Sequence, residues 1–243
     1  MRILPRMNTF DHLLQSSPEI EAHIGYRFND PALLALAFVH RSYINEHKDI
    51  STHNERLEFL GDSVLGLLVA SFLYQNFPDR PEGELSSLRS HLVDSHTCMN
   101  FVLKLGVHQF LLLGKGEKLS DGRGRESILG DLFEAIIGAV YLDGGLDAAY
   151  TFLFKNFSTD INAIIEKPLN NWKALFQDYC QRNFQQTPVY VVLSEEGPDH
   201  NKIFTVSVTI HDEEMGQGLG GSKKDAQQSA AENAIHRLKL PKE

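Results

Sequence analysis

With 243 residues, 42% of them hydrophobic, and a net charge of −9, the chain has enough apolar content for one or two domains with a real core. No run of about eighteen apolar residues occurs, and Met1 to Met7 is too short and interrupted for a signal-peptide core, so a cytoplasmic protein with no membrane partner is expected. Cys98 and Cys180 lie far apart, and the eleven histidines form no His-Glu-x-x-His or Glu-x-x-His pattern, which argues against a disulfide framework, a zinc hydrolase and a di-iron bundle.

Asp11 to Ile24 and Pro31 to Val39 have the spacing of short amphipathic helices, with Gly25-Tyr26-Arg27-Phe28-Asn29-Asp30 as the turn between them. His40-Arg41-Ser42-Tyr43 follows, and a polar loop from Asn45 to Thr52 leads into a helix expected to reach about Asn76 before Pro78 stops it. In that helix Glu55, Glu58 and Asp62 recur at i, i+3 and i+7, inside a sector of about 60°. From Leu57 onward the helix is mostly apolar, so these carboxylates share one face of a largely buried element. Like charges so placed are unfavourable, and something positive is needed beside them.

Pro81-Glu82-Gly83-Glu84 restarts the chain, and Leu85 to Leu105 reads as one further helix. Gly114 to Arg125 is a Gly-rich loop carrying Lys115, Lys118, Arg123 and Arg125, either a solvated connector or a substrate contact. Glu126 to Leu142 is apolar nearly all round, as a central buried helix is, and Asp131 and Glu134, three apart, are its charges beyond the first turn. Gly144-Gly145 ends it and Leu146 to Ile165 supplies another helix. After Glu166-Lys167-Pro168 the character changes: Leu169 to Arg182 is helical, Val189 to Leu193, Ile203 to Ile210 and Met215 to Leu219 read as strands, and Ser222 to Leu238 is helical again. Two domains are expected, an all-α domain over residues 8–165 and a small α+β domain of α-β-β-β-α order over residues 169–240. The acidity lies in the first, with 14 Lys/Arg against 22 Asp/Glu up to residue 166 and nine against ten thereafter.

Glu55, Glu58, Asp62, Asp131 and Glu134 cannot all stay ionised in an apolar setting without cations or raised pKa values. Local pairing with Arg41, Arg56, Arg123 or Arg125 could account for two or three of them. The alternative is an all-oxygen site for Mg²⁺ or Mn²⁺, the chemistry of metal-dependent phosphodiester cleavage. An acidic domain repels nucleic acid, so a separate module must hold such a substrate. In the C-terminal unit, Lys223 and Lys224 stand at a helix N-terminus, where phosphate is favoured. Gln177 and Asp178 on its first helix are placed to read 2′-hydroxyls, and His200 falls in the turn between the first two strands.

Asn54-Glu55-Arg56-Leu57-Glu58-Phe59-Leu60-Gly61-Asp62 resembles the defining motif of the ribonuclease III family. His40-Arg41-Ser42-Tyr43 and Gly130-Asp131-Leu132-Phe133-Glu134-Ala135 resemble its other two blocks, in the expected order, and Lys173 to Leu238 resembles its double-stranded RNA-binding domain. The resemblance implies an endonuclease that cuts both strands of duplex RNA by Mg²⁺-activated water, leaving 5′-phosphate and 3′-hydroxyl ends with short 3′ overhangs, with precursor ribosomal RNA the usual substrate. It implies Glu58, Asp62, Asp131 and Glu134 as metal ligands, Asp62 and Glu134 the most critical, and Glu55 and Glu82 as further acids near the cleavage site. It also implies a homodimer with Phe59 as a knob in the partner subunit. A duplex-RNA-binding regulator that does not cut is the alternative, but its expected mark, a missing acid, is not found. A helical hydrolase of small phosphates would leave the C-terminal unit unexplained. Ala174, Asp178 and Gln227 depart from the residues the family often has there, which predicts modest RNA affinity and steep salt dependence.

Overall fold

A computed structural model describes residues 9–47, 50–119, 124–166, 172–197 and 202–238. The chain divides into two compact units, Met1–Lys167 and Pro168–Glu243. Among the described residues the first unit is helical: α1 (Thr9–Ile24), α2 (Pro31–Ala37), α3 (Arg41–Glu46), α4 (Glu55–Asn76), α5 (Glu82–Leu92), α6 (Ser95–Leu105), a 3₁₀ turn (His108–Phe110), α7 (Lys115–Leu119) and α8 (Arg125–Glu166).

The centre of this unit is the α4–α8 pair. Leu57, Val64, Leu65, Leu68 and Leu73 of α4 and Leu132, Phe133, Ile136, Ile137 and Val140 of α8 are buried, and truncating such a side chain to alanine costs about 2–5 kcal/mol. Phe133 and Phe157 enclose Phe101 of α6, with ring centroids 5.2 and 4.2 Å away. With a mean hydropathy of 1.5 in its most apolar window, α4 has the length and composition of a membrane-crossing helix, but one apolar side packs on α8 and the helix carries Glu55, Glu58 and Asp62, while Phe59, Leu67 and Tyr74 are exposed. α8 breaks at Gly145, whose φ of +79° suits glycine. Just before the break, Asp143 accepts hydrogen bonds from the Tyr26 hydroxyl at 2.7 Å and the Asp30 N–H at 2.8 Å, fixing the 25–30 turn to α8.

Two elements differ from expectation and a third, α3, had none. The single helix over Leu85 to Leu105 is two, because Asp94 is extended and its carboxylate caps α6 by accepting the Thr97 N–H at 2.7 Å. His40-Arg41-Ser42-Tyr43 lies at the start of α3, a helix too short to give a periodic signal, which His40 caps by accepting the Ser42 N–H at 3.2 Å. Part of the Gly114 to Arg125 loop is helical as α7; Arg123 lies outside the described residues.

The second unit consists of α9 (Trp172–Phe184), β1 (Val189–Glu196), β2 (Ile203–Ile210), β3 (Glu213–Gly220) and α10 (Lys223–Arg237), with an antiparallel sheet in the order β1-β2-β3. His211 and Asp212, with φ of +49° and +63°, make the tight β2–β3 turn. Val206, Val208 and Ile210 pack with Phe176 of α9 and Ala226, Ala230 and Ala234 of α10. The alanines are small because β3 lies directly on α10: a Cβ on Gly218 would overlap the Ala230 backbone nitrogen.

Candidate metal centre

The site begins with a glycine contact. A Cβ on Gly61 would overlap the carbonyl oxygen of Glu134, and one on Gly138 would overlap that of Leu57, so the α4 and α8 backbones touch. Side chains one turn from these glycines must then meet. Glu58 lies three residues before Gly61 and Glu134 four before Gly138, with Asp131 one turn further back. Oxygens of Glu58, Asp131 and Glu134 all lie within 4.8 Å of one another, and the three residues are half-buried.

Among the described residues no cation pairs with these three. Burial pushes the Glu134 carboxyl up to about 8, helped by the charges of Asp62, Asp131 and Glu58. Burial also raises Glu58, with Asp131, Glu55 and Asp62 adding to it, and raises Asp131, there opposed by His40. Beneath them Cys98 is buried, and burial followed by the charge of Glu134 holds its thiol protonated well above the usual range. The donor set is all oxygen, concentrated and short of positive charge, which fits a hard divalent cation such as Mg²⁺ or Mn²⁺ rather than zinc.

The other expected acids are arranged differently. Asp62, one turn beyond Glu58, is exposed and outside the group that converges, though its charge acts on Glu134 and Glu58. Glu55 is paired, 3.3 Å from Arg41 and 3.7 Å from His53, so local pairing accounts for this one acid. Glu82, exposed at the start of α5, accepts the Ser86 hydroxyl at 2.7 Å and is outside the group. Phe59 points away from the core and is 79% exposed.

His40 stands close enough to Asp131, Glu55 and Glu117 to feel their charges, although burial outweighs them and lowers its pKa. The Ala37–His40 segment holding it also holds α4: the Asn54 N–H donates to the Val39 carbonyl at 2.9 Å, and the Asn54 side-chain amide donates to the Ala37 carbonyl at 3.2 Å. Sequence reasoning passed over Asn54, although its place directly before the first acid was a signal. It also passed over Gly61 and Gly138, whose signal was a glycine within each apolar helix.

In the second unit Gln177 and Asp178 are exposed on α9, and Asp178 is paired with Arg182 at 2.8 Å. Lys223 and Lys224 are exposed at the start of α10, Lys223 lying 2.9 Å from Glu195 of β1. His200 lies outside the described residues.

Residues 30–161 match the Ribonuclease-III-like family, and residues 172–238 match the double-stranded RNA binding motif. A Ribonuclease 3 of Protochlamydia amoebophila is 60% identical over 242 residues, covering 98% of this chain and 100% of the relative. One of Treponema denticola is 42% identical over 221 residues, 90% of each chain. The nuclease domain of ribonuclease III from Campylobacter jejuni, a structure described for flexibility in a region involved in dimer formation, is 38% identical with a TM-score of 0.52 and covers 58% of this chain and 97% of its own. The chain therefore belongs to the ribonuclease III family: it is an endoribonuclease with a helical nuclease domain followed by a double-stranded RNA-binding domain.

Proposed function

We propose that this endoribonuclease cuts both strands of duplex RNA in a reaction that depends on Mg²⁺, for which Mn²⁺ can substitute, leaving 5′-phosphate and 3′-hydroxyl ends with short 3′ overhangs. Residues 8–165 act as the catalytic domain and residues 169–240 as the RNA-binding domain. The observation that carries this reading is the convergence of Glu58, Asp131 and Glu134, half-buried and without a cation among the described residues.

Those three hold the ion, and Asp62 is the fourth acid of the set; Asp62 and Glu134 matter most to catalysis. When bound, the ion activates water and neutralises charge at the scissile phosphate. The chain's own part is to fix the acids on two helices locked by Gly61 and Gly138, so that little reorganisation is needed when substrate arrives. In the metal-free site burial and the neighbouring acids raise the Glu134 carboxyl to about 8, which favours its protonated form near neutral pH, and a bound divalent cation would favour the carboxylate instead. Glu55, held by Arg41, and Glu82 line the approach as secondary acids.

Gln177, Asp178, His200, Lys223 and Lys224 contact the duplex. A homodimer forms through the exposed apolar side of α4, where Phe59, Leu67 and Tyr74 recur along one side of the helix, each monomer cutting one strand. Ribosomal RNA precursors and other structured RNAs in the cytoplasm are the proposed substrates.

Incubating a defined RNA duplex with Mg²⁺ and sequencing the product ends tests the reading. Paired cuts offset toward 3′ overhangs are expected; intact duplex under conditions where a control ribonuclease cuts overturns it.

A further inference from the structure

Gln227 continues the side of α10 that Lys223 begins, but its own side chain carries no charge. That position is nonetheless occupied by positive charge. The Lys173 ammonium of α9 donates to the Gln227 side-chain oxygen at 2.7 Å and lies 4.9 Å from the centre of the Tyr190 ring. The backbone is held as well, since the Lys173 N–H donates to the Gln228 side-chain oxygen at 3.0 Å. Lys173, in the first turn of α9, is thus tied to α10 twice, its ammonium by Gln227 and its backbone N–H by Gln228.

Its location connects the residues already assigned to RNA. Lys173 lies one turn before Gln177 on the same side of α9, and Gln227 lies one turn after Lys223 on the same side of α10. A cation in the first turn of a helix is also unfavourable for the helix, whose N-terminus carries partial positive charge. For a purely structural tie, a neutral or acidic partner for Gln227 would serve better. An ammonium is what a phosphate requires.

We propose that Lys173, positioned by Gln227, is a phosphate-contacting residue of the RNA-binding domain and supplies from α9 the charge that α10 lacks. This rests on the reading of the C-terminal unit as the holder of duplex RNA. The glutamine is then an adaptation to the lysine, because a second ammonium at 227 would face the first.

The test is duplex RNA binding by the full chain without divalent metal, by fluorescence anisotropy over a range of KCl. K173Q is expected to weaken binding about 3–10-fold near ~0.1 M salt and to reduce the slope of log K against log salt by about 0.9, the value of one phosphate contact. K173R should keep the slope. Q227K is expected to give no gain, whereas independent cations would tighten binding and steepen the slope. The exchange K173Q/Q227K should restore affinity to within about 2-fold of the parent, because it moves the charge across the same contact. Thermal melts monitor folding, since a structural tie would lower the melting temperature without changing the slope. Duplex binding indifferent to K173Q, or tightened by Q227K with a steeper slope, overturns the assignment alone. A chain that binds no duplex overturns it together with the reading beneath it.

Discussion

Two helix pairs carry the polar residues to which function is assigned, and they treat charge in opposite ways. Across α4 and α8, Glu58, Asp131 and Glu134 converge half-buried with no cation among the described residues. Across α9, β1 and α10, cations are given partners: Lys223 has Glu195, Lys173 has Gln227, and Arg182 has Asp178. Desolvation explains the difference. A surface pair is screened, contributes little and is easily exchanged for a phosphate. Half-buried like charges oppose folding until a cation or a proton neutralises them. The nuclease unit stores an electrostatic demand, and the RNA-binding unit keeps its charges ready for exchange.

The contrast breaks most severely at Gly61. Gly61→Ala puts a methyl into the Glu134 carbonyl, and we expect destabilisation of about 3 kcal/mol or more in the nuclease unit. In thermal unfolding the nuclease transition should move and the RNA-binding transition should stay; a shift common to both would mean the helix contact does not act locally. Next in size is Glu134→Gln. Cleavage should fall at least as far as the ~10–100-fold that follows loss of a group supporting a metal ligand, while duplex binding persists. Retained cleavage in a single-turnover assay would remove Glu134 from the site.

The same residue gives the pH dependence. Glu134 is raised to about 8 when folded, so between the ordinary carboxylate range and pH 8 the native state holds a proton that the unfolded chain has released. Its contribution to stability is complete at low pH and is lost as pH rises through 8. Metal-free protein should therefore melt at lower temperature at pH 8 than at pH 6 on this account, Mg²⁺ should reverse the loss, and Glu134→Gln should flatten the dependence. A flat profile in the parent would show that burial and the neighbouring acids do not raise Glu134.

Phe59→Asp should shift the subunit equilibrium toward monomer in analytical ultracentrifugation, with little change in the melting of the monomer, because the ring is exposed. The smallest effect is expected at Glu195→Gln. Freed of its carboxylate, Lys223 should bind duplex a few-fold tighter at low salt with an unchanged melting temperature. Weaker binding would mean that Glu195 positions the lysine rather than competing for it.

Much of this was legible in the residues. Period alone placed α4 and α8, since a run of apolar residues interrupted on one face by acids admits few other readings. The strand segments and α10 were equally clear from alternation and from the Gly-Ser-Lys-Lys start. Less legible were α3 and α7, too short for periodicity, and the break at Asp94, where a side-chain cap outweighed a continuous helical pattern. Spacing on a single helix could not distinguish paired from unpaired acids: Glu55, Glu58 and Asp62 read alike, yet one has Arg41, one meets α8 and one faces solvent.

Local sequence, then, determined the helices, the sheet and the side each acid occupies, because these follow from the 3.6-residue and two-residue repeats of the backbone. Only the tertiary structure decided which acids converge and which cation stands at Gln227. Both depend on contacts between distant segments, Gly61 against Glu134 and Lys173 against Gln227, and distances of a few ångströms between two helices are set by packing, on which the periodicity of either helix is silent.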